Sequence, residues 1–414
     1  MKVKIVGGGL TGILAAFEAH RLGARDIELY ERFEKLGGVA LPEERHGLEL
    51  REGCIYFGPR SDPIRGLLET YGQSFVEFDN RFGSISPGDA GEPVRTIDFG
   101  GPAFACANAS VTPLAGPSLA DRIGAYPPEI AGPLTRYATW HLGFDLAEAH
   151  EAAAIPMAIN RVFPLGADVA ALADAKRADP LADELLAIPR AQWGHTNNLL
   201  ASLPEGGFPT FLRRCEHALG QIGVKIRERN LVAPRHAIAT HNKGEVLVWA
   251  ANPTPLFKAL DVRTPKLLPK SFATYVFAAR WTGPRPFYVQ NFTAEGACFR
   301  AYVYESAGRT LVTAECVKEA DPTDLRYEVH RMLSGFGGDL ALGEILCTTI
   351  KPRWIYHSVD AIRQLAQLRD AARDRLGATF VDGAWEPYAK AEKFAQVNAA
   401  LAAALGVSKG RAAA

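Results

Sequence analysis

The first dozen residues of this chain decide its fold, and residues 3–12 read Val3-Lys4-Ile5-Val6-Gly7-Gly8-Gly9-Leu10-Thr11-Gly12. Val3–Val6 is a short, mostly apolar run rich in β-branched residues, which predicts a buried strand. Ile13–His20 then has helical character, Gly23 ends that helix, and Asp26–Glu31 predicts a second strand. The connections in this β-turn-α-β unit are short, so we expect parallel strands and a right-handed crossover.

The glycines between the first strand and the helix have the spacing Gly7-x-Gly9-x-x-Gly12, which in this position predicts a dinucleotide-binding turn. Gly7 would make the tight turn, Gly9 would let a pyrophosphate approach the backbone, and Gly12 would let the helix pack closely on the strand. We expect the free N–H groups at the helix start, at Leu10 and Thr11, to hold the phosphates together with the positive end of the helix dipole.

The segment after the second strand distinguishes two classes of dinucleotide. Glu31 lies 19 residues after Gly12, where its carboxylate can accept hydrogen bonds from ribose hydroxyls. From Glu31 and Arg32 the chain runs to the pair Gly37-Gly38, and this run resembles the signature of the glutathione-reductase-like FAD proteins. Nicotinamide dehydrogenases do not share the second glycine pair, so the resemblance implies FAD as the cofactor.

Further segments resemble, in the same order, one superfamily: amine oxidases, protoporphyrinogen oxidase, phytoene desaturase-like enzymes and UDP-galactopyranose mutase. They are Glu52–Phe57, Leu203–Pro209 followed by Gly223–Ile226, Glu245–Pro253 and Thr379–Gly383. The resemblance implies that Val232 contacts adenine and that Asp382 and Gly383 make the last FAD contact. Two departures put that last contact in doubt, because the order here is Asp382-Gly383 rather than Gly-Asp and the next helix has Asn398-Ala399 in place of Ser-Gly.

The catalytic residues follow less directly. Phe299–Glu305 resembles the substrate-domain strand that faces the flavin, and in the sugar mutases of the superfamily an arginine on such a strand grips a diphosphate. Strand alternation places Arg300, Tyr302 and Tyr304 on one face. We therefore expect Arg300 and Tyr304, together with Arg353 further along the chain, to act in catalysis. An ordinary half-buried sheet face would give the same pattern.

Composition excludes several other classes. The 414 residues contain 46 Lys+Arg and 46 Asp+Glu, so the net charge is zero and a nucleic-acid partner is not expected. The six cysteines contain no C-x-x-C pair, and no apolar run reaches the ~18 residues of a membrane span, which favours a cytoplasmic protein. His236 and His241 have the separation of metal ligands, but no nearby pattern completes a site, so no metal is expected.

These observations predict an α/β fold with a discontinuous Rossmann-like FAD domain, from residues 1–80, 203–265 and 345–410. Residues 81–202 and 266–344 would form an α+β substrate domain, with 81–202 a mostly helical insertion that includes a helix over Asp145–Ala154. The leading functional hypothesis is an FAD-dependent oxidoreductase in which flavin N5 takes a hydride from a C–N or C–C bond of a small molecule. The alternatives are a redox-neutral sugar-nucleotide mutase and a flavin-binding protein without turnover. Oligomeric state is not predicted.

Overall fold

The computed structural model describes residues 1–407 except residue 54, residues 89–91, 98, 107–109, 189–199 and 243, and the side chains of residues 353 and 354. The strands are β1 Lys2–Val6, β2 Asp26–Tyr30, β3 Glu43–Arg45, β4 Leu48–Leu50, β5 Phe75–Asp79, β6 Arg81–Ser86, β7 Val94–Ile97, β8 Ala103–Ala105, β9 Phe163–Leu165, β10 Leu200–Pro204, β11 Lys225–Arg227, β12 Glu245–Trp249, β13 Leu268–Trp281, β14 Phe287–Asn291, β15 Cys298–Ser306, β16 Arg309–Cys316, β17 Leu340–Tyr356 and β18 Phe380–Asp382.

The helices are α1 Leu10–Arg21, α2 Pro63–Thr70, α3 Leu119–Gly124, α4 Pro128–Leu142, α5 Val169–Ala178, α6 Pro180–Leu185, α7 Gly207–Gln221, α8 Pro234–Thr240, α9 Thr254–Ala259, α10 Pro322–Ser334, α11 Val359–Leu376 and α12 Lys390–Ala404.

One sheet is parallel throughout, with the strand order β11-β2-β1-β12-β18. Its central strand β1 buries Val3 and Ile5 completely, because helices cover both faces of the sheet. Helices α1, α7 and α12 contribute to the core on one face, and α9 and α11 to the core on the other. The predicted β-α-β unit with parallel strands is confirmed.

The second sheet has seven strands in the order β17-β13-β16-β15-β14-β6-β7. Apart from the parallel pair β14–β6, neighbouring strands are antiparallel. Helix α10 packs on one face. On the other face, Tyr302 and Tyr304 pack against Leu48 and Leu50 of β4, which comes from the first segment of the chain. The two-stranded sheet of β3 and β4 is thereby held against the seven-stranded sheet through a buried contact.

The segment that was expected to be a mostly helical insertion begins with strands rather than helices. Arg81–Ser86 and Val94–Ile97 form β6 and β7, which extend the seven-stranded sheet, and the described helices α3–α6 follow from Leu119 onward. The helix expected from Asp145 to Ala154 is reduced to a 3-10 turn over Glu151–Ala154. Its backbone instead pairs with neighbouring segments, since the His150 N–H donates to the His357 carbonyl (2.9 Å).

The domain boundary expected at residue 345 also lies further along the chain than expected. Strand β17 pairs with β13 along almost its whole length, from Leu340 to Tyr356. The chain therefore stays in the seven-stranded sheet for eleven residues beyond the expected boundary (345 to 356) and returns to the parallel sheet through α11.

A buried polar network holds the helical segment on the sheet. Gln290 Nε2 donates to the Tyr137 hydroxyl (3.2 Å), which lies 3.4 Å from His141 Nδ1. His141 Nε2 in turn lies 3.0 Å from the Tyr356 hydroxyl. His141 is 1% exposed, and burial lowers its pKa to about 3.

This network predicts loss of stability in acid. The unfolded chain protonates His141 below about pH 6.5 whereas the folded chain does not, so the free energy of unfolding falls as pH falls from 6.5 toward 3. His141→Gln should remove about 1.4 kcal/mol per pH unit from that slope, measured by urea unfolding between pH 6 and 4. His217→Gln, at an exposed site on α7, is the control and should leave the slope unchanged. Equal slopes for His141→Gln and the unmutated protein would contradict the assignment.

Candidate functional site

The parallel sheet presents a glycine-lined turn at its carboxyl edge, which is the edge where β1, β12 and β18 end. Gly7 has φ +107°, and a Cβ there would lie 2.7 Å from the backbone nitrogen of Ala251. A Cβ on Gly12 would lie 1.9 Å from the Gly7 carbonyl oxygen. At both positions the fold itself excludes any larger residue.

Gly9 is different, because the protein would accept a side chain there. Its φ is −70°, and the nearest atom to an added Cβ is the Gly38 Cα at 4.0 Å. The backbone at Gly9 thus faces open space directly before Leu10 and Thr11, the first residues of α1, and no side chain caps that helix. A cradle that a Cβ would fill, in front of uncapped N–H groups, fits a phosphate group.

Glu31 organises the turn. Its carboxylate is 7% exposed and accepts hydrogen bonds from the backbone N–H of Gly8 (2.7 Å) and of Phe33 (2.9 Å). Each carboxylate oxygen has a further lone pair, so acceptance from a ribose hydroxyl remains open to it. Gly8 was not singled out from the sequence, yet a Cβ there would lie 2.5 Å from Leu36 and 2.9 Å from the Glu31 Cβ. The run of three glycines was the available signal.

The second glycine pair packs directly on the first turn. The Gly37 N–H donates to the Gly8 carbonyl (2.8 Å), and a Cβ on Gly38, whose φ is +55°, would lie 3.2 Å from the Gly9 Cα. Val39, the next residue, is 93% exposed.

The remaining expected FAD contacts lie around the same edge. Val232 is half-buried and packs in a cluster with Ala251. Gly383 lies against the end of β12, where a Cβ would be 2.8 Å from the Trp249 carbonyl oxygen. Arg32 is exposed, with its guanidinium 4.4 Å from the ring centroid of Phe33.

Asp382 reaches the edge but already has protein partners. Arg369 Nε donates to its carboxylate at 2.6 Å, and the Ala384 N–H donates to it at 2.8 Å. The reversal from Gly-Asp to Asp-Gly therefore leaves the acidic residue at the end of β18, where it accepts a hydrogen bond from the loop that leads to α12.

Two lysines stand at the start of α12, and sequence reasoning missed both. Lys390 Nζ donates to the Tyr56 carbonyl and lies 5.2 Å from the Phe57 ring centroid. Lys393 Nζ donates to the Ala384 carbonyl at 2.9 Å. Nothing in the local pattern marks these lysines, because only the folded loop before α12 brings them to the carboxyl edge.

The residues expected to act in catalysis take other positions. Arg300 donates through Nε and Nη2 to the two carboxylate oxygens of Glu315, at 2.6 and 2.8 Å, and Glu315 is fully buried. Tyr304 is fully buried, its hydroxyl accepts from the Arg51 N–H (2.9 Å), and burial raises its pKa to about 12. Arg300 is thus paired with a carboxylate and Tyr304 is enclosed, and the expectation that they act on substrate stays a prediction. Arg353 lies in β17, and its side chain is outside the described part.

A second buried ion pair, between Glu49 and Arg51, lies against the seven-stranded sheet, and the sequence did not reveal it. Arg51 Nε donates to Glu49 at 2.8 Å, and both residues are 8% exposed. The Arg51 guanidinium also lies 3.3 Å from the Tyr302 hydroxyl, while Tyr302 and Tyr304 stack with centroids 5.0 Å apart. This cluster fixes the segment that leads into Tyr56 and Phe57, beside Lys390.

The described residues contain neither a metal-binding cluster nor a membrane-spanning helix. No group of three or more His, Cys, Asp or Glu side chains there could hold a metal ion. None of the helices described has the length and apolarity needed to span a membrane.

Comparison with known proteins agrees with this architecture. Residues 5–71 match a family described as the NAD(P)-binding Rossmann-like domain. No curated protein matches the chain.

Solved structures of several enzymes are similar to this chain over almost its full length. A reduced UDP-galactopyranose mutase has a TM-score of 0.66 and 13% identity, covering 99% of this chain and 96% of that one. A protein of Exiguobacterium sp. 255-15, assigned as a protoporphyrinogen oxidase, has a TM-score of 0.58 and 15% identity, covering 98% of this chain and 99% of that one. Putrescine oxidase bound to putrescine has a TM-score of 0.56 and 15% identity, covering 98% of this chain and 97% of that one. The predicted resemblance is confirmed for the fold.

Proposed function

Since this chain has the fold shared by the amine oxidase-like flavoenzymes, we propose that it is an FAD-dependent oxidoreductase. Its substrate would be a small molecule from which a hydride is taken at a C–N or C–C bond. The same fold serves several reactions, so the argument rests on the residues at the carboxyl edge rather than on similarity alone.

The observation that carries the proposal is the open face of Gly9. Every neighbouring glycine of the turn is required by packing, whereas Gly9 has no packing reason to lack a side chain. The uncapped start of α1 stands directly behind it. A ligand with a pyrophosphate explains both features, and the neighbouring Gly37-Gly38 pair and Glu31 favour FAD as that ligand.

The chain's own residues would divide the work as follows. The N–H groups of Leu10 and Thr11 would bind the phosphates, and Glu31 would orient the ribose. Bound FAD would supply hydride-accepting chemistry. The aromatic side chains of Tyr56 and Phe57, which pack against Phe78 and Phe208, would exclude water from the ring side of the site.

The mutase remains the second candidate, because the UDP-galactopyranose mutase similarity spans 99% of this chain. Its expected diphosphate clamp is Arg300, and the ion pair with Glu315 argues against that role. The third candidate, a flavin binder without turnover, is favoured by the engagement of Asp382 with Arg369.

The test is anaerobic addition of candidate substrates to the FAD-loaded protein, with amines such as putrescine in the panel. An oxidoreductase should lose its visible flavin absorption on mixing and form peroxide when air is admitted. A spectrum that changes only after chemical reduction, with binding of UDP, would favour the mutase. No response to any substrate or to UDP would favour the third candidate, a flavin binder without turnover.

A further inference from the structure

A surface recess of about 360 Å³ lies at one end of the seven-stranded sheet, between the end of β13 and the start of β16. Strand β13 pairs with β16 only as far as Ala278, although β13 continues to Trp281 and β16 begins at Arg309. The recess therefore opens where the two paired strands separate. The helical segment packs at the other end of β13, around Leu268 and Phe272, so it does not cover the recess.

Three arginines from different segments line this recess. Arg280 comes from β13, Arg285 from the loop between β13 and β14, and Arg309 from β16, and all three are exposed. Within the described part of the chain, Glu305 is the one carboxylate within ion-pair distance of them, 3.8 Å from Arg285 Nη1. In the same part of the chain, the guanidinium groups of Arg280 and Arg309 have neither an ion pair nor a hydrogen bond. The recess thus has a surplus of two positive charges.

Arg280 and Arg309 also occupy an electrostatically unfavourable position. The register of β13 and β16 places Ala278 opposite Leu311, and two residues further along it places Arg280 opposite Arg309. Strand alternation puts both side chains on the same face. Like charges directly opposite each other destabilise an antiparallel pair of strands. This arrangement does not help the fold, and an anion between the two guanidinium groups would relieve its cost.

The wall of the recess is held in place by the protein. Arg285 Nη1 donates to the Thr310 hydroxyl at 2.8 Å, which fixes this guanidinium at the recess. Trp281 is 4% exposed, and its Nε1 donates to the Pro284 carbonyl at 2.9 Å. The loop that carries Arg285 is therefore tied to the end of β13. Because these groups are already ordered, binding a ligand costs little further side-chain entropy.

The chemistry of the recess favours a phosphate group over a carboxylate. Guanidinium groups present paired N–H donors that match two phosphate oxygens at once. A phosphate monoester carries close to two negative charges at pH 7, which equals the surplus positive charge of the recess, whereas a carboxylate carries one. The volume lies at the lower end of the range for small-molecule sites, which leaves room for an organic group beside the phosphate.

We propose that Arg280, Arg285 and Arg309 form a binding site for a phosphate dianion, either as free phosphate or on a small phosphorylated molecule. This site is separate from the cradle at Gly9, because the cradle lies at the edge of the parallel sheet and the recess lies in the seven-stranded sheet. The proposal therefore does not depend on the binding of FAD.

The experiment is calorimetric titration of the full chain with inorganic phosphate, glycerol phosphate and acetate at constant ionic strength, since salt screens exposed charges. Both phosphates should bind, glycerol phosphate the more tightly, and acetate should bind at least about tenfold more weakly. Arg280→Met and Arg309→Met should each weaken phosphate binding at least about tenfold, because each removes charged hydrogen-bond donors. Arg136→Met, at an exposed position on α4, is the matched control and should leave binding unchanged.

The thermal midpoint without ligand separates binding from a structural role. It should not fall in Arg280→Met or Arg309→Met, because either change removes the opposition of like charges.

The remaining outcomes assign the ligand or overturn the site. Tighter binding of glycerol phosphate supports a phosphorylated small molecule as the ligand, and equal affinities for the two phosphates support free phosphate. Three results would overturn the site: phosphate affinities in Arg280→Met and Arg309→Met equal to that of the unmutated protein, acetate binding as tight as phosphate binding, or weaker binding together with a lower thermal midpoint in both Met variants. Failure to bind FAD would overturn the proposed function and leave this site standing.

Discussion

Gly9→Val is expected to abolish FAD binding while the protein remains folded. The valine side chain would occupy the space in front of α1 where the pyrophosphate is proposed to bind, and the backbone angles at Gly9 are open to valine. We expect FAD affinity to fall by at least about a thousandfold, about 4 kcal/mol. Titration of the apo protein with FAD measures this, and the thermal midpoint of the apo protein should be unchanged.

Gly12→Ala provides the contrast from the same motif. Its Cβ would lie 1.9 Å from the Gly7 carbonyl oxygen, so this smaller change should destabilise the protein itself. Gly220→Ala, on the exposed surface of α7 with no atom near the added Cβ, is the neutral control. If Gly9→Val bound FAD normally, the phosphate cradle would have to be placed elsewhere.

Glu315→Ala is expected to cost about 3–5 kcal/mol of stability, because it leaves the Arg300 guanidinium without its carboxylate inside the seven-stranded sheet. Glu315 is fully buried, and Arg300 is mostly buried. Urea unfolding measures the loss. The double variant Arg300→Met/Glu315→Met removes both charges and should recover most of it.

The variants at Arg300 and Glu315 also test whether Arg300 binds a substrate diphosphate. If Arg300 instead gripped a substrate diphosphate, Arg300→Met would weaken UDP binding and Glu315→Ala would change stability by less than about 1 kcal/mol. The structure predicts the opposite pattern, with a large loss of stability in Glu315→Ala and no effect of Arg300→Met on UDP binding.

The parallel sheet was predictable because its determinants are local. The spacing of Gly7, Gly9 and Gly12 between a strand and a helix requires one backbone path, and the structure follows it. Glu31 also could be found, since the end of β2 fixes its place. The hydrogen bond from the Gly8 N–H to the Glu31 carboxylate could not be predicted, because that contact depends on the folded turn.

The ion pair between Arg300 and Glu315 was not predicted, although the sequence carries a signal for it. Ala307 and Gly308 form the two-residue connection between β15 and β16, both with positive φ. A two-residue hairpin sets the register of its strands, and this register places Arg300 opposite Glu315. Strand alternation gave the correct face, but the cross-strand partner on that face was not considered.

Other features depend on contacts distant in sequence. Lys390 meets the Tyr56 carbonyl 334 residues away, and Arg51 meets the Tyr302 hydroxyl 251 residues away. No local pattern contains such pairs. The helix expected over Asp145–Ala154 failed for a related reason, because backbone pairing with residues near Ser358 replaced helical hydrogen bonds.

The most direct test of the central claim is the absorption spectrum of the purified protein, before and after heat release of any cofactor. The account predicts flavin bands, with about one FAD released per chain, or reconstitution of those bands when FAD is added to colourless protein. A protein that is colourless and does not bind added FAD would contradict the phosphate cradle at Gly9 and the proposed activity together.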